Sequence, residues 1–80
     1  MHYEIEISEN ARAQLKALPR PLRQRIGYRL TLMQEDLAGD VKKLHDKEYR
    51  LRVGSYRVLF RLNANIVEVY AVKDRKDAYA

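Results

Sequence analysis

A chain of 80 residues can form one compact domain but not two, so residues 1–80 are predicted to be a single domain. Cysteine is absent, which excludes disulfide bonds and thiolate metal sites. Sixteen lysines and arginines against eleven acidic residues give a net charge of +5, which favours a polyanionic partner. No apolar stretch approaches the roughly 18 residues that a membrane helix needs, so we expect a soluble, cytoplasmic protein with no cleaved leader and no membrane partner.

The excess of positive charge lies in the second half of the sequence. From Lys42 onwards there are ten Lys and Arg against five Asp and Glu, so that 10 − 5 = +5, whereas the first 41 residues balance at six against six. This asymmetry predicts that the anion-binding surface lies in the second half of the chain.

The first part of the chain predicts one strand followed by two helices. Apolar and polar side chains alternate over residues 3–7, which is the period of two expected of a half-buried strand. Ser8 is a good N-cap for a first helix, which is expected to end before Pro19. Apolar residues at spacings of three and four predict a second helix from Pro21 to Gly39.

Three strands are predicted in the second half, after a polar link. Tyr49 to Val53 alternates apolar and basic side chains and is followed by Gly54-Ser55, a two-residue hairpin turn with glycine first. The segment 56–62 returns as the next strand. After a further turn, residues 66–72 are rich in β-branched and aromatic side chains and predict the last strand.

The order strand, helix, helix and then three strands predicts an α+β domain, with both helices on one face of a small, mainly antiparallel, four-stranded sheet. Pleat alternation directs Arg50 and Arg52 to the face away from the helices, and Arg57 and Arg61 share a face by the same rule. Arginines placed opposite each other on neighbouring strands repel by roughly several tenths of a kcal/mol per pair. Such a cluster therefore points to function rather than to stability.

Two segments carry a more specific pattern. Residues 49–60, Tyr-Arg-Leu-Arg-Val-Gly-Ser-Tyr-Arg-Val-Leu-Phe, combine a basic alternating strand, a turn and a Tyr-Arg strand start, and residues 72–79 hold a basic block followed by an aromatic. In these segments, and in the element order of essentially the whole chain, the sequence resembles the RelE/ParE toxin superfamily. The resemblance implies a RelE-like fold and a toxin of a type II toxin–antitoxin system. It further implies a metal-independent endoribonuclease, or mRNA interferase, that cuts messenger RNA in the ribosomal A site.

The resemblance also implies roles for the arginines of the basic strands. Arg50 and Arg52 would contact the scissile phosphate, and Arg57 would stabilise the charge that develops on it. The chemistry of these residues agrees, because RNA is cut when its own 2′-hydroxyl attacks the adjacent phosphorus, which requires in-line positioning and neutralisation of charge. Guanidinium groups suit this task since they bond phosphate oxygens in pairs.

The C-terminal basic position of the family falls on Lys73 or on Arg75, and the aromatic that stacks on a base falls on Tyr79. Lys73 is the hypothetical proton acceptor, because a lysine among other cations loses its proton more readily, while His2 and His45 lie outside the basic strands. The other candidates are basic residues expected to contact RNA, namely Lys42, Lys43, Arg61, Arg75 and Lys76.

The resemblance implies three macromolecular partners. A small cognate antitoxin, RelB-like, would inhibit the toxin in a hetero-oligomer by covering the basic face or displacing the C-terminal residues. The other partners would be messenger RNA on the ribosome and the 16S rRNA of the small subunit. No cofactor and no metal are expected, because no group of His, Asp or Glu has the spacing of ligands.

Other interpretations stay open. A ParE-like toxin shares the fold but binds and poisons DNA gyrase without cutting RNA, whereas the retained strand arginines and the basic, aromatic-ended tail favour the nuclease. A third interpretation is an inert family member that serves only as a binding partner. For single residues the alternatives are a solvated sheet face for the arginines, loop charge for Lys42 and Lys43, and packing for Tyr79.

Overall fold

The computed structural model describes residues 1–74, which form a sheet covered on one face by two helices. The helices are α1 (Glu9–Lys16) and α2 (Arg20–Met33), and the strands are β1 (Glu4–Ile7), β2 (Val41–His45), β3 (Glu48–Val53), β4 (Tyr56–Asn63) and β5 (Ile66–Asp74). The strand order is β1-β5-β4-β3-β2, with β1 parallel to β5 and all other neighbours antiparallel. The predicted α+β class and the position of the helices are confirmed.

The sheet has five strands within residues 1–74 rather than the predicted four, because the polar link forms the edge strand β2. It pairs antiparallel with β3, from Val41 opposite Leu51 to His45 opposite Glu48. Val41 is partly buried and the other four residues of β2 are exposed. The sequence of this strand therefore does not need the alternation of apolar and polar residues that marks a half-buried strand. Lysines on an edge strand are typical of sheets that avoid pairing with another chain. Backbone pairing with β3 creates this strand, and the side-chain pattern does not reveal it.

The second helix ends at Met33 and does not extend to Gly39 as predicted. Leu37 has a φ of +56°, outside the helical region, although its side chain still packs against the core. The backbone after the helix is bound by the N-terminal segment, since the Tyr3 N–H donates to the Gln34 carbonyl at 2.7 Å. Apolar residues therefore continue at regular spacing beyond the end of the helix, because the segment that follows it still packs against the core. No helix in residues 1–74 is long and apolar enough to cross a membrane.

Two local predictions are confirmed in detail. Ser8 caps α1, because its Oγ accepts a hydrogen bond from the Ala11 N–H at 3.1 Å. Gly54 and Ser55 form the two-residue turn between β3 and β4. Gly54 adopts a φ of +58°, a conformation that glycine reaches without strain. This turn fixes the register of the two strands that carry most of the predicted site.

The core lies between the helices and the inner face of the sheet. Its fully buried side chains come from both layers and include Ala11, Ile26, Met33, Leu51, Val58, Phe60 and Val67. The ring of Tyr49 stacks on that of Phe60, with 5.5 Å between their centres. Because one face of the sheet carries the core, the pleat commits alternate side chains of each strand to the opposite, open face.

A β-bulge interrupts the pairing of β4 with β5. Leu59 pairs with Ala71, but the next residue, Phe60, pairs with Val69. Tyr70 is therefore an extra residue in β5 with no counterpart in β4. A bulge of this kind shifts the alternation of every side chain that follows it in the strand.

The bulge decides which side chains at the end of β5 face the helices. Val69 before the bulge and Val72 after it are both buried, although they are three residues apart. Under plain alternation Lys73 would share the inner face with Val69, whereas it is exposed and lies opposite Arg57. The bulge therefore places a valine in the core and Lys73 on the open face.

Polar side chains of α1 bind the backbone at this bulge. Gln14 Oε1 accepts a hydrogen bond from the Val72 N–H at 2.6 Å, and Asn10 Nδ2 donates to the Tyr70 carbonyl at 3.1 Å. Backbone groups that are removed from water need such partners, because each one left unpaired costs free energy. The docking of α1 and the shape of β5 therefore depend on each other.

We expect Gln14→Ala to lower the free energy of unfolding by about 1–3 kcal/mol, because it leaves the part-buried Val72 N–H without its acceptor. Gln24→Ala is the matched control, since Gln24 is exposed on α2, and it should change stability by less than about 0.5 kcal/mol. Urea unfolding followed by circular dichroism measures both. Equal stability of the two variants would show that the bulge does not depend on Gln14.

Candidate nucleic-acid interface

The open face of the sheet carries a row of cations on three neighbouring strands. Arg52 of β3 pairs with Arg57 of β4, and Arg57 pairs with Lys73 of β5. Residues paired in this way have Cα atoms about 4.5–5.5 Å apart and direct their side chains to the same face. Arg52 and Lys73 are exposed, and Arg57 is half-buried. We call Arg52, Arg57 and Lys73 the cationic row.

Arg50 and Lys42 lie beside the cationic row, paired across β3 and β2 on the same face. The Arg50 side chain is only 13% exposed, and its Nη1 donates to the Asp40 carbonyl at 3.2 Å and lies 3.5 Å from Asp40 Oδ1. A phosphate at Arg50 would therefore compete with Asp40 for the guanidinium. Lys43 pairs with Tyr49 and so belongs to the face that carries the core, not to the open face.

Carboxylates dominate the other end of the open face. Glu48 pairs with Arg61, Arg61 with Glu68, and Glu68 with Glu6, and we call these residues the acidic row. Arg61 Nε lies 3.4 Å from Glu48 Oε1, so its charge is balanced inside the row. A shallow cleft of about 270 Å³ opens beside this row and is lined in part by Tyr70. In residues 1–74 no group of at least three His, Cys, Asp or Glu side chains is arranged to hold a metal ion.

Tyr70, the extra residue of the bulge, contacts two residues of the acidic row. Its hydroxyl donates to Glu48 Oε1 at 3.2 Å, and the guanidinium carbon of Arg61 lies 5.2 Å from the centre of its ring. Burial raises the pKa of Tyr70 above its ordinary value, the hydrogen bond and charge of Glu48 raise it further, and Arg61 opposes them. The phenol therefore remains a neutral donor that holds the Glu48 carboxylate in place.

The sequence matches the profile of a protein family described as "ParE toxin of type II toxin-antitoxin system, parDE" over residues 5–79. The chain belongs to this toxin family. The predicted membership of the RelE/ParE superfamily is thereby confirmed, and the chain is a toxin of a type II toxin–antitoxin system. A search of curated proteins found no match.

Solved structures share the fold of this toxin. A chain of the RelB–RelE antitoxin–toxin complex from Methanococcus jannaschii is 28% identical, with a TM-score of 0.77 over 91% of this chain and 93% of that one. For the archaeal RelE–RelB complex from Pyrococcus horikoshii the identity is 26% and the TM-score 0.82, over 94% of this chain and 97% of that one. A mutant of the E. coli toxin RelE in the free state is 20% identical, with a TM-score of 0.80 over 99% of this chain and 90% of that one. The RelE-like fold is therefore confirmed.

The toxin fold brings some of the predicted site residues together and separates others. Those brought into one row are Arg52, Arg57 and Lys73. Arg61 lies in the acidic row, where it pairs with Glu48. The predicted roles of Arg75, Lys76 and Tyr79 fall outside the described residues. The acidic row was not predicted; its signal in the sequence is an acidic residue on three of the four strands that contribute to it, namely Glu6, Glu48 and Glu68.

We expect the pKa of Tyr70 to lie above 10.0 and to fall in Glu48→Gln, because that change removes the negative charge that favours the protonated phenol. Since the folded chain holds this proton more tightly than the unfolded chain does, the associated stability is present below pH 10.0 and is lost as the pH rises through the folded-state pKa. NMR titration of labelled tyrosine rings measures the shift. Glu35→Gln removes a carboxylate elsewhere, and an equal fall in that control would refute the assignment to Glu48.

Proposed function

We propose that this toxin is a metal-independent, ribosome-dependent endoribonuclease that cleaves messenger RNA in the A site. The observation that carries the proposal is the cationic row, in which Arg52, Arg57 and Lys73 pair in register on an open face. Like charges opposite each other destabilise a sheet by about 0.2–1 kcal/mol per pair. A phosphodiester bound across the row would offset this repulsion, which supports an anion as its ligand.

In the proposed reaction the 2′-oxygen of one nucleotide attacks the adjacent phosphorus and the bond from phosphorus to the 5′-oxygen breaks. The products are a cyclic phosphate and a 5′-hydroxyl, whose proton comes from water. Arg52 and Arg57 bind the non-bridging oxygens and neutralise the charge that accumulates on them in the transition state. Lys73 is the proposed acceptor of the 2′-hydroxyl proton, because a guanidinium keeps its own proton and cannot take this role. No step passes through a metal ion.

The acidic row gives the proposed RNA site a boundary. Glu6, Glu48 and Glu68 repel a phosphate backbone, while the cationic row attracts it. An RNA strand on the open face is therefore confined to the end of the sheet next to the Gly54 turn. This boundary supports a site for one scissile phosphate rather than a diffuse attraction to nucleic acid.

A cognate RelB-like antitoxin is the proposed inhibitor, in a toxin–antitoxin hetero-oligomer. The RelE chains from Methanococcus jannaschii and Pyrococcus horikoshii, 28% and 26% identical to this toxin, occur in complexes with RelB. An acidic or amphipathic segment that folds on docking would cover the cationic row and neutralise its charge. The 16S rRNA of the small subunit is the further proposed partner, as the surface that presents the messenger RNA.

Translation of a defined message in a purified system, with mapping of new 5′ ends, tests the proposal. We expect cuts in phase with codons, and Arg57→Ala should slow cleavage by at least about 100-fold, the loss typical of removing one donor to a developing oxyanion. Cleavage by the variant at the rate of the wild-type toxin would show that Arg57 does not act on the phosphate. A message that stays intact with the wild-type toxin overturns the nuclease.

Arg52→Gln and Arg61→Gln form a matched pair, because each removes one positive charge from the same face of the sheet. Arg52→Gln should slow cleavage by about 10- to 100-fold, the worth of a charge-assisted hydrogen bond. Arg61→Gln should change the rate by less than about twofold, since its charge is balanced by Glu48 and exposed ion pairs contribute little. Single-turnover rates on the ribosome measure both. Equal losses would contradict the division of the face into two rows.

A second candidate function is poisoning of DNA gyrase without cleavage of RNA. The match to the profile described as a ParE toxin favours it. Intact message in the translation assay, together with trapped covalent complexes of gyrase and DNA, would support this candidate over the nuclease. A gyrase poison would have no need of a proton acceptor at Lys73.

A further inference from the structure

The helix side of the molecule carries a second group of cations. Residues 10–34 hold six Lys and Arg and no Asp or Glu, because the six acids of the first 41 residues lie on either side of this segment. Four of these cations are exposed arginines of α2 that form no ion pair within residues 1–74, namely Arg20, Arg23, Arg25 and Arg29. The balance of charge over the first half of the chain conceals this local excess.

These arginines do not stabilise the helix in which they lie. Arg20 and Arg23 occupy its first turn, where a positive charge opposes the helix dipole, and Pro19 provides no side-chain cap. Arg25 and Arg29 are four residues apart, a spacing at which like charges disfavour a helix. Cations that weaken their own helix indicate a negatively charged partner outside the chain.

An exposed aromatic side chain lies among these arginines. Tyr28 is 63% exposed, and it is the one aromatic residue of positions 1–74 whose side chain is not at least partly buried. On a helix Tyr28 neighbours Arg25, three residues before it, and Arg25 in turn neighbours Arg29, four residues after it. We call Arg25, Tyr28 and Arg29 the helix surface. An exposed ring beside arginines on one side of a helix is suited to stack on an unpaired base while the cations bind the adjoining phosphates.

The helix surface is continuous with the cationic row. Arg25 Nη1 lies 3.6 Å from the position that a β-carbon on Gly54 would occupy, so its guanidinium sits against the turn between β3 and β4. That turn joins β3 to β4. Val53 and Tyr56 form the pair next to it, and Arg52 and Arg57 form the following pair. A nucleic-acid strand that leaves the cationic row around this hairpin therefore meets another cation rather than a carboxylate.

We propose that the helix surface binds single-stranded RNA that flanks the cleaved segment, with Tyr28 stacked on an unpaired base and Arg25 and Arg29 bound to phosphates. This inference rests on the proposed function, since it takes RNA to be the polymer that reaches the cationic row. An acidic polypeptide would satisfy the arginines but has no base to stack on the tyrosine ring.

Binding of 2′-O-methyl RNA, which lacks the attacking hydroxyl and stays uncut, tests the proposal with the full chain. For an RNA of about 16 nucleotides, Arg25→Gln and Arg29→Gln should each reduce the slope of log affinity against log salt by about 0.7, the value for one phosphate of a single strand. Lys47→Gln is the matched control, because it removes one exposed charge just before β3, at the end of the sheet away from Gly54, and it should leave the slope unchanged.

Substitution of Tyr28 is expected to change the affinity for RNA but not its dependence on salt. Tyr28→Ala should weaken binding by about 5- to 100-fold without changing the salt slope, because stacking involves no phosphate, and Tyr28→Phe should retain the wild-type affinity. An RNA of about 4 nucleotides, long enough for the cationic row alone, should respond to none of these changes. Circular dichroism of each variant confirms that it is folded.

The outcomes separate this proposal from the proposed function. Unchanged binding of the longer RNA in the variants of the helix surface overturns the inference, whether or not the toxin cuts messages during translation. Weakened binding of polyglutamate with unchanged binding of RNA overturns it as well and assigns the surface to an acidic polypeptide. A wild-type toxin that binds the longer RNA through Tyr28 but cuts no message refutes the nuclease and leaves the RNA-binding surface standing.

Discussion

One extra residue in the last described strand determines what the open face of this toxin carries. Because Tyr70 bulges out of the pairing, Val72 completes the core and Lys73 joins Arg52 and Arg57; if the same residues followed plain alternation, the lysine ammonium would face the apolar interior, where an unpaired charge is strongly disfavoured. The same insertion presents backbone groups that Gln14 binds from α1. The chemistry of the face and the docking of a helix on the opposite side therefore have one structural cause.

The two rows on the open face have opposite electrostatic roles. The cationic row consists of like charges paired across strands, and the acidic row contains an arginine paired with Glu48 and a tyrosine hydroxyl that donates to the same carboxylate. Their separation along the strands gives the face a polarity that a net charge of +5 does not describe. Such a polarity orients a polyanion as well as attracting it. Arg50 lies beside the row, 3.5 Å from Asp40 Oδ1, so its charge is balanced by this carboxylate.

Local signals in the sequence were sufficient for the fold class and for part of the site. Alternation together with the Gly54 turn predicts that Arg52 and Arg57 share the open face, because both depend only on neighbouring residues. The position of Lys73 depends on the bulge, which arises from packing between a helix and a strand far apart in sequence, so alternation alone assigns this residue to the wrong face. Strand β2 exists because β3 offers it hydrogen bonds. The helix surface was not predicted, because the first 41 residues have a net charge of zero. This balance conceals residues 10–34, which contain six Lys and Arg and no Asp or Glu.

The parallel pairing of β1 with β5 joins parts of the chain that are far apart in sequence, with Glu4 opposite Ile66 and Ile7 opposite Val69. Contacts of such large sequence separation require the long loop between them to close, at a cost in entropy. During its own synthesis the nascent toxin therefore holds an N-terminal strand whose neighbour does not yet exist, and a cationic row that lacks its third member. The ribosome making a given copy of this protein therefore carries no assembled form of that copy until the codons of the last described strand have been read.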